Sequence, residues 1–309
     1  MTDMKEEFVS IQIVTWNSEG FIQPCLESIL NQSYKNFRVL VLDNASTDRT
    51  QEIIQRYSSR LDYIPLRNNT GFSHGHNVGF SLAKAEYILV MNPDVILTPT
   101  YLEKIMEAIQ SDPRVGAAGG KLYRWNGHQT STSIDSMGIQ FHPYKRVFSD
   151  CTLDGTKPRE VFGISGACAL YRRRMLEDVK LGNEYFDEDF FAYFEDVDLA
   201  WHARSLGWKA MVIPDAVAYH YRHAAQKGVF QFVRNLGFRN RYFVLIKNDS
   251  LKDIFKVLPI FILFEFLRHV KLFFTSPRLL LQWAVILKYI PRMLKKRRLI
   301  QQKQAKHAT

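Results

Sequence analysis

Residues 87–94 read YILVMNPD, five apolar positions that end in Asn92, Pro93 and Asp94. So short and so apolar a run is the pattern of a strand buried on both faces. A carboxylate at its tip needs a reason, because removing a charge from water is costly unless something pairs with it. The residues upstream repeat the pattern: VSIQIVT (9–15), RVLVLD (38–43) and the weaker YIPL (63–66). Helical periodicity fills the gaps. Ser18 is placed to cap a helix through Leu26, Ile29 and Leu30 with Pro24 in its first turn, and Ser46 or Thr47 to cap one containing Ile53 and Ile54. A Gly-punctuated helix follows over about 73–85, and Pro65 puts the third strand at an edge or an end. This βαβαβαβ order predicts an α/β fold with a Rossmann-like, mostly parallel sheet flanked by helices.

In such sheets ligands bind outside the carboxyl ends of the strands. Four polar clusters fall there: TWN (15–17), Asp43, NNTG (68–71) and NPD (92–94). Each alone is ordinary turn chemistry, but together they outline a site. No GxGxxG follows the first strand, where TWNSEG stands instead, and no GxxxxGK[ST] is present, which excludes NAD-type and P-loop sites. An acid facing a nucleobase accepts an N–H bond, whereas an acid at an anionic diphosphate needs a metal between them. Asp94 and Asn92 offer oxygen donors two positions apart, suited to Mg²⁺ or Mn²⁺.

The 309 residues are 46% hydrophobic with 13% aromatic, enough for a sizeable core. The net charge of +10 is uneven: residues 251–309 hold thirteen Lys/Arg against two Asp/Glu, leaving the first 250 at 28 against 29. A near-neutral body with a basic, aliphatic tail argues against nucleic acid and for an anionic surface. Cys25, Cys151 and Cys168 form no CxxC pair, so neither a disulfide framework nor a zinc knuckle is indicated and a reducing compartment is expected. The acidic N-terminus lacks the apolar core of a secretory signal, which points to the cytosol.

VSIQIVTWN, VLDNASTD, NNTGF, VMNPDV and the later FFAYFEDVDLAW, in that order, resemble a family 2 glycosyltransferase of the GT-A fold, most closely the bacterial rhamnosyltransferase type, over about residues 8–225. The resemblance implies inverting transfer of a sugar from a nucleotide-diphosphate donor to a glycan or lipid-linked acceptor in cell-envelope polysaccharide synthesis. It assigns Asp94 to a divalent metal on the diphosphate, with Asn92 in place of the first acid of the DxD motif. Asp43 would contact the nucleotide base, with Thr15 and Asn17 beside it and Asn69, Gly71 and Asn77 along the donor site. In the ED pair it makes Asp196 the general base, oriented by Glu195, and His220 a further metal contact. The best single donor is dTDP-rhamnose, with UDP-sugars next. Relatives often carry Arg where this chain has His76 and His202. The residues themselves also allow that Glu195, Asp196 and Asp198 decorate the first turn of a helix over 199–206, and that Gly163 and Gly166 mark either a sugar approach or a bend.

Residues 257–274 and 279–290 are apolar but interrupted by charge, too broken for a spanning helix of ~18 uninterrupted residues. An in-plane amphipathic segment is expected, with Trp283, Tyr289 and KKRR (295–298) at the interface, ahead of an ordinary helical hairpin packed on the catalytic domain with a solvated basic end. The chain thus divides into a catalytic domain (1–250) and a membrane-associating extension (251–309), peripheral on the inner face of the cell membrane. Competing readings are a sugar nucleotidyltransferase, a nucleic-acid binder and a non-catalytic scaffold, and the number of copies stays open.

Overall fold

The computed structural model describes residues 7–126, 130–222 and 230–307. Most of the N-terminal stretch read for a secretory signal lies outside them. The chain runs β1 (Val9–Thr15), α1 (Ile22–Leu30), β2 (Phe37–Asp43), α2 (Thr50–Gln55), β3 (Leu61–Pro65), α3 (Gly71–Leu82) and β4 (Tyr87–Met91). There follow β5 (Val95–Leu97), α4 (Tyr101–Ser111), β6 (Val115–Trp125), β7 (Thr130–Ser136), β8 (Ile139–His142), β9 (Val147–Asp150), β10 (Arg159–Val161), β11 (Cys168–Arg172) and α5 (Arg173–Val179). The last elements are α6 (Glu195–Ser205), β12 (Lys209–His220), α7 (Phe230–Asn248), α8 (Leu251–Thr275) and α9 (Gln282–His307).

The main sheet has the order β10-β12-β6-β11-β4-β1-β2-β3, with β5 paired to β12 and β7 to β6. Strands β1 to β4 are mutually parallel, β2 and β3 lying to one side of β1 and β4 to the other. The order therefore reverses at β1, and the register sets Thr15 beside Asp43 at the carboxyl ends. β11 runs antiparallel between β4 and β6, while β12 returns parallel to β6. β1 and β4 are buried along their whole length, and β3, ending on Pro65, is the edge strand. All three cysteines are buried and free.

Several local details differ from the sequence expectation. Ser18 opens α1 through its carbonyl, which accepts from the N–H groups of Phe21 (2.9 Å) and Ile22 (3.0 Å), while its hydroxyl turns to the Trp16 carbonyl. Neither Ser46 nor Thr47 caps α2; Asp48 accepts from the Thr50 N–H (3.0 Å) because Ser46 is already bonded to Asp43. α6 starts at Glu195, so the acid motif forms the helix's own first turn.

The C-terminal part is a helical assembly packed on this layer. α7 carries Phe238, Tyr242 and Phe243 into a core shared with Phe190, Val197, Ile286 and Met293. Trp283 and Tyr289, expected at a lipid interface, face inward instead: Trp283 lies 4.6 Å from the Tyr242 ring and donates to His269 (3.0 Å), and Tyr289 stacks on Phe243. The rings of α7 offer them an apolar partner within the protein. The basic run divides likewise, Lys296 and Arg297 turning toward the domain and Lys295 and Arg298 toward solvent. α8 has no buried residue, and Phe255, Phe266, Phe273 and Phe274 are each more than 60% exposed. Among the described residues no helix is long and apolar enough to cross a membrane.

Candidate active site

The tip of β1 carries Thr15, buried, and Asn17, whose left-handed backbone (φ 48°) lets its N–H reach the Ser46 hydroxyl (2.9 Å) while its side-chain oxygen accepts from the Thr47 N–H (2.8 Å). Asp43, at the end of β2, is 2% exposed; it accepts from Ser46 and from the Tyr63 hydroxyl (2.9 Å). It holds its own turn and not the following helix. Asn44 carries no signal of its own in the sequence, yet it clasps the third rim cluster: its amide donates to the Gly71 carbonyl (3.1 Å) and accepts from Thr70. Asn69 accepts from the Gly71 N–H (3.0 Å). Gly71 is required at this point, because its φ is +84° and a Cβ would lie 2.5 Å from the Phe191 carbonyl oxygen.

Asn77 is placed differently from the rest of the rim. Its amide donates to the Phe186 carbonyl (2.8 Å) and Glu188 (3.0 Å) and accepts from the Tyr185 and Phe186 N–H groups. It fixes the segment leading to the acid motif. His76 is buried among Phe72, Phe80 and Phe186, and burial lowers its pKa to about 3, so it is a neutral core ring. His202 is buried too, and burial with the nearby Lys247 charge also brings it to about 3. Neither can stand in for an arginine on a diphosphate.

Asp94 follows β4 and precedes β5, and β5 pairs antiparallel with the end of β12, whose last residue is His220. That pairing brings His220 Nε2 to 3.5 Å from Asp94 Oδ1, both side chains being less than 10% exposed. His220 Nδ1 is held by Asp135 Oδ2 (2.9 Å), and Arg222 bridges Asp135 and Asp150. Burial works against a charge on His220, but the bonds to Asp135 and Asp94 overcome it and raise its pKa to about 9. A carboxylate and an imidazole whose far nitrogen is fixed by a second carboxylate are a donor set that suits Mn²⁺ or Mg²⁺, ions that take few protein ligands when phosphate oxygens supply others. The side chains present fit a divalent cation once His220 gives up the proton it shares with Asp94, so a cation there would take that proton's place. The second carboxylate, Asp135, gave no signal in the sequence, since only the β6–β7 hairpin brings it to the site.

The acid pair sits at the first turn of α6. Asp196 is half-buried; its carboxylate accepts from the Gly166 N–H (2.8 Å) and the Val197 N–H (2.7 Å). Burial raises it to about 6 against those two bonds, which leaves it mostly ionised near neutral pH and able to take a proton. Glu195 is 5% exposed, with burial first and Asp196 second raising its carboxyl well above the usual range. Asp198 turns away from the pair and anchors the helix, accepting from Lys247 (2.6 Å) and Asn248 (2.6 Å), and Lys247 also meets Asp187 (2.8 Å). The segment before the pair is strained. Phe191 (φ 65°, ψ −60°) is the centre of a γ-turn closed by the Ala192 N–H on the Phe190 carbonyl (2.8 Å), and Tyr193 (φ 69°) and Phe194 (φ 73°) are left-handed. Such conformations cost of order 1–3 kcal/mol each and persist where the surroundings enforce them.

One short segment joins the two halves of the site. The Ala167 carbonyl accepts the Asn92 N–H (2.9 Å), and the neighbouring Gly166 N–H holds Asp196. Gly163 serves packing and not a ligand, since a Cβ there would lie 2.5 Å from that of Ala200 on α6.

A mostly parallel α/β sheet with polar strand tips at its reversal point, and an acid pair facing them, is the frame of the GT-A glycosyltransferases. Residues 10–180 match the family model "Glycosyl transferase family 2", and the chain belongs to that family. It is 28% identical over 247 residues to an N-acetylglucosaminyl-diphospho-decaprenol L-rhamnosyltransferase of Mycobacterium tuberculosis, covering 72% of this chain and 77% of that one. It is 31% identical over 117 residues to an uncharacterized glycosyltransferase of Haemophilus influenzae, which is 37% of this chain and 36% of that protein. Among solved structures, S. aureus TarS 1-349 in complex with UDP superposes with TM-score 0.59 at 22% identity, covering 97% of this chain and 88% of that one. The mannosyltransferase PcManGT of Pyrobaculum calidifontis, in complex with GDP-Man and Mn²⁺, gives 0.57 at 17% identity, covering 99% and 88%. These two likenesses concern the fold.

Proposed function

We propose that this glycosyltransferase moves a sugar, L-rhamnose from dTDP-rhamnose in the first instance, onto a glycan or lipid-linked acceptor by a single inverting displacement. The observation that carries this reading is the 163–167 segment, which ties the Asp94 turn and the Asp196 carboxylate to one rim through the bonds of Ala167 and Gly166. Asp94 and His220 would hold a divalent cation, which when bound neutralises charge building on the departing diphosphate. Asp196 takes the proton from the attacking hydroxyl, its raised pKa suiting a base near neutrality. Burial and the neighbouring Asp196 charge favour the uncharged form of Glu195, which eases repulsion within the pair and leaves it to orient Asp196. Asp43, Thr15 and Asn17 shape the end of the cleft where a nucleoside would lie, with Asn69, Gly71 and Asn92 along the donor between them. The decaprenol-linked acceptor in the mycobacterial relative's name supports a lipid-linked one here. The bare apolar surface of α8, beside Lys252, Lys256 and Lys271, supports docking on an anionic membrane at the cytoplasmic face.

Replacing Asp196 with Asn tests the reaction. Transfer from dTDP-rhamnose or a UDP-sugar is expected to disappear while donor binding, followed by thermal shift with and without Mn²⁺, stays within about twofold. An active Asp196→Asn variant would sink the base assignment. Stabilisation by UDP-sugars but not by dTDP-rhamnose would move the donor to the second choice.

A further inference from the structure

The acid pair depends on a backbone conformation that its own residues disfavour, and the structure shows what enforces it. Asn240, on α7, is completely buried. Its side-chain amide nitrogen lies 2.9 Å from the Phe190 carbonyl, 2.9 Å from that of Ala192 and 2.8 Å from that of Tyr193. Its two N–H bonds are thus shared among three carbonyls of the γ-turn and the left-handed residues that follow. The adjacent Arg239 fixes which end of the amide faces them, its Nε donating to Asn240 Oδ1 (2.9 Å) and its Nη2 reaching the Asp189 and Phe190 carbonyls (3.2 Å each). On the opposite side the Phe191 carbonyl accepts the Ser73 N–H (3.1 Å) at the start of α3 and lies against Gly71. The loop is therefore held between the NNTG turn and α7, and it delivers Phe194, whose carbonyl takes the Asp198 N–H (2.9 Å) to start α6.

We propose that Asn240, aligned by Arg239, is a positioning residue for transfer: it holds residues 190–194 in the one shape that presents Asp196 to the acceptor. The inference rests on the reading of Asp196 as the base. A general packing role would scatter the bonds of a buried amide over the core; here all three fall within the five residues that precede Glu195. Only an amide supplies two donors of this geometry. Alanine takes the donor from the Ala192 and Tyr193 carbonyls, while the Phe190 carbonyl keeps the Ala192 N–H and Arg239, and the loop, less tightly determined, is free to leave its left-handed conformations.

The test compares Asn240→Ala, Arg239→Gln and Asp196→Asn for thermal midpoint, nucleotide-sugar affinity and transfer at saturating donor across a pH series. For Asn240→Ala the expected result is a kcat lower by about tenfold to a hundredfold with donor affinity within about twofold, since a misplacement of about 1 Å costs that much. The acid limb of its pH–rate profile is expected to move as the Gly166 bond to Asp196 loosens. Arg239→Gln should shift the same quantities less far, and it decides the matter if Asn240→Ala does not fold. Unchanged kcat and pH profile in these two variants, with Asp196→Asn inactive, would overturn the proposal alone. So would an equal loss of kcat and donor affinity, which marks general damage. Transfer that survives Asp196→Asn removes the base reading and the proposal with it.

Discussion

Lys247→Met removes a cation shared by Asp187 and Asp198 and strands a carboxylate in the interior. All three side chains are less than 10% exposed, with contacts of 2.8 and 2.6 Å. At 2.8 and 2.6 Å each pair is attracted by about 6 kcal/mol with an effective dielectric constant of ~20, a gain that desolvation of the ions largely offsets. Breaking such a pair costs about 3–5 kcal/mol, mostly through the stranded charge. The lower end applies here, because Asp187 keeps Lys296 and only Asp198 is left with Asn248 alone. Burial then raises Asp198 further, so folding takes up a proton that the unfolded chain has released, and stability falls as pH rises. The variant should lose about 3 kcal/mol at pH 8 and under about 2 at pH 5, read from urea denaturation at both pH values. Adding Asp198→Asn should recover at least half of the loss. A penalty below about 1 kcal/mol, or one equal at pH 5 and pH 8, would refute the argument that the cost lies in an uncompensated buried carboxylate.

Gly71→Ala forces a Cβ against the Phe191 carbonyl at a φ that favours glycine; transfer should fall at least about tenfold with a lower thermal midpoint, and wild-type rates would show that the contact is soft. His76 is held near pKa 3 by burial and titrates at about 6.5 when unfolded, so the unfolded chain binds the extra proton and stability drops as pH falls below 6.5. His76→Leu should therefore save about 2 kcal/mol of the loss between pH 7 and pH 5, and an unaltered acid slope would count against it. Phe266→Asp with Phe273→Asp on α8 should weaken co-sedimentation with anionic vesicles without changing transfer to a soluble acceptor, and undiminished vesicle binding would remove α8 as the docking face.

The first four strands and their rim were legible in the sequence because each is encoded locally: an apolar run, then turn residues at its tip. Asp43 and Asp94 could be placed at strand tips on that basis, whereas the family resemblance singles out the ED pair. The rest depends on contacts over long separations. Asp135 meets His220 across 85 residues, and Asn240 meets Phe190 across 50; no periodicity records either. The basic tail is legible only in part for the same reason. Composition places thirteen cations after residue 250, but only the packing shows that Arg292 and Lys296 enter the buried acids Asp187 and Asp189 and that Trp283 covers Tyr242. Asn77 and His76 stand beside the donor motif in sequence, yet helix periodicity turns both inward.

The ion network also sets a timetable for synthesis. Glu184, Asp187, Asp189 and Asp198 leave the ribosome well before their counter-ions, Lys247 following by 49 residues and Lys296 by about twice that interval. Until α9 emerges, Glu184 and Asp189 lack the Lys296 they meet in the fold, while Lys247 on α7 already serves Asp187 and Asp198. The wall beside the acid pair therefore gains its counter-ions in two steps, first from α7 through Lys247 and then from α9 through Lys296.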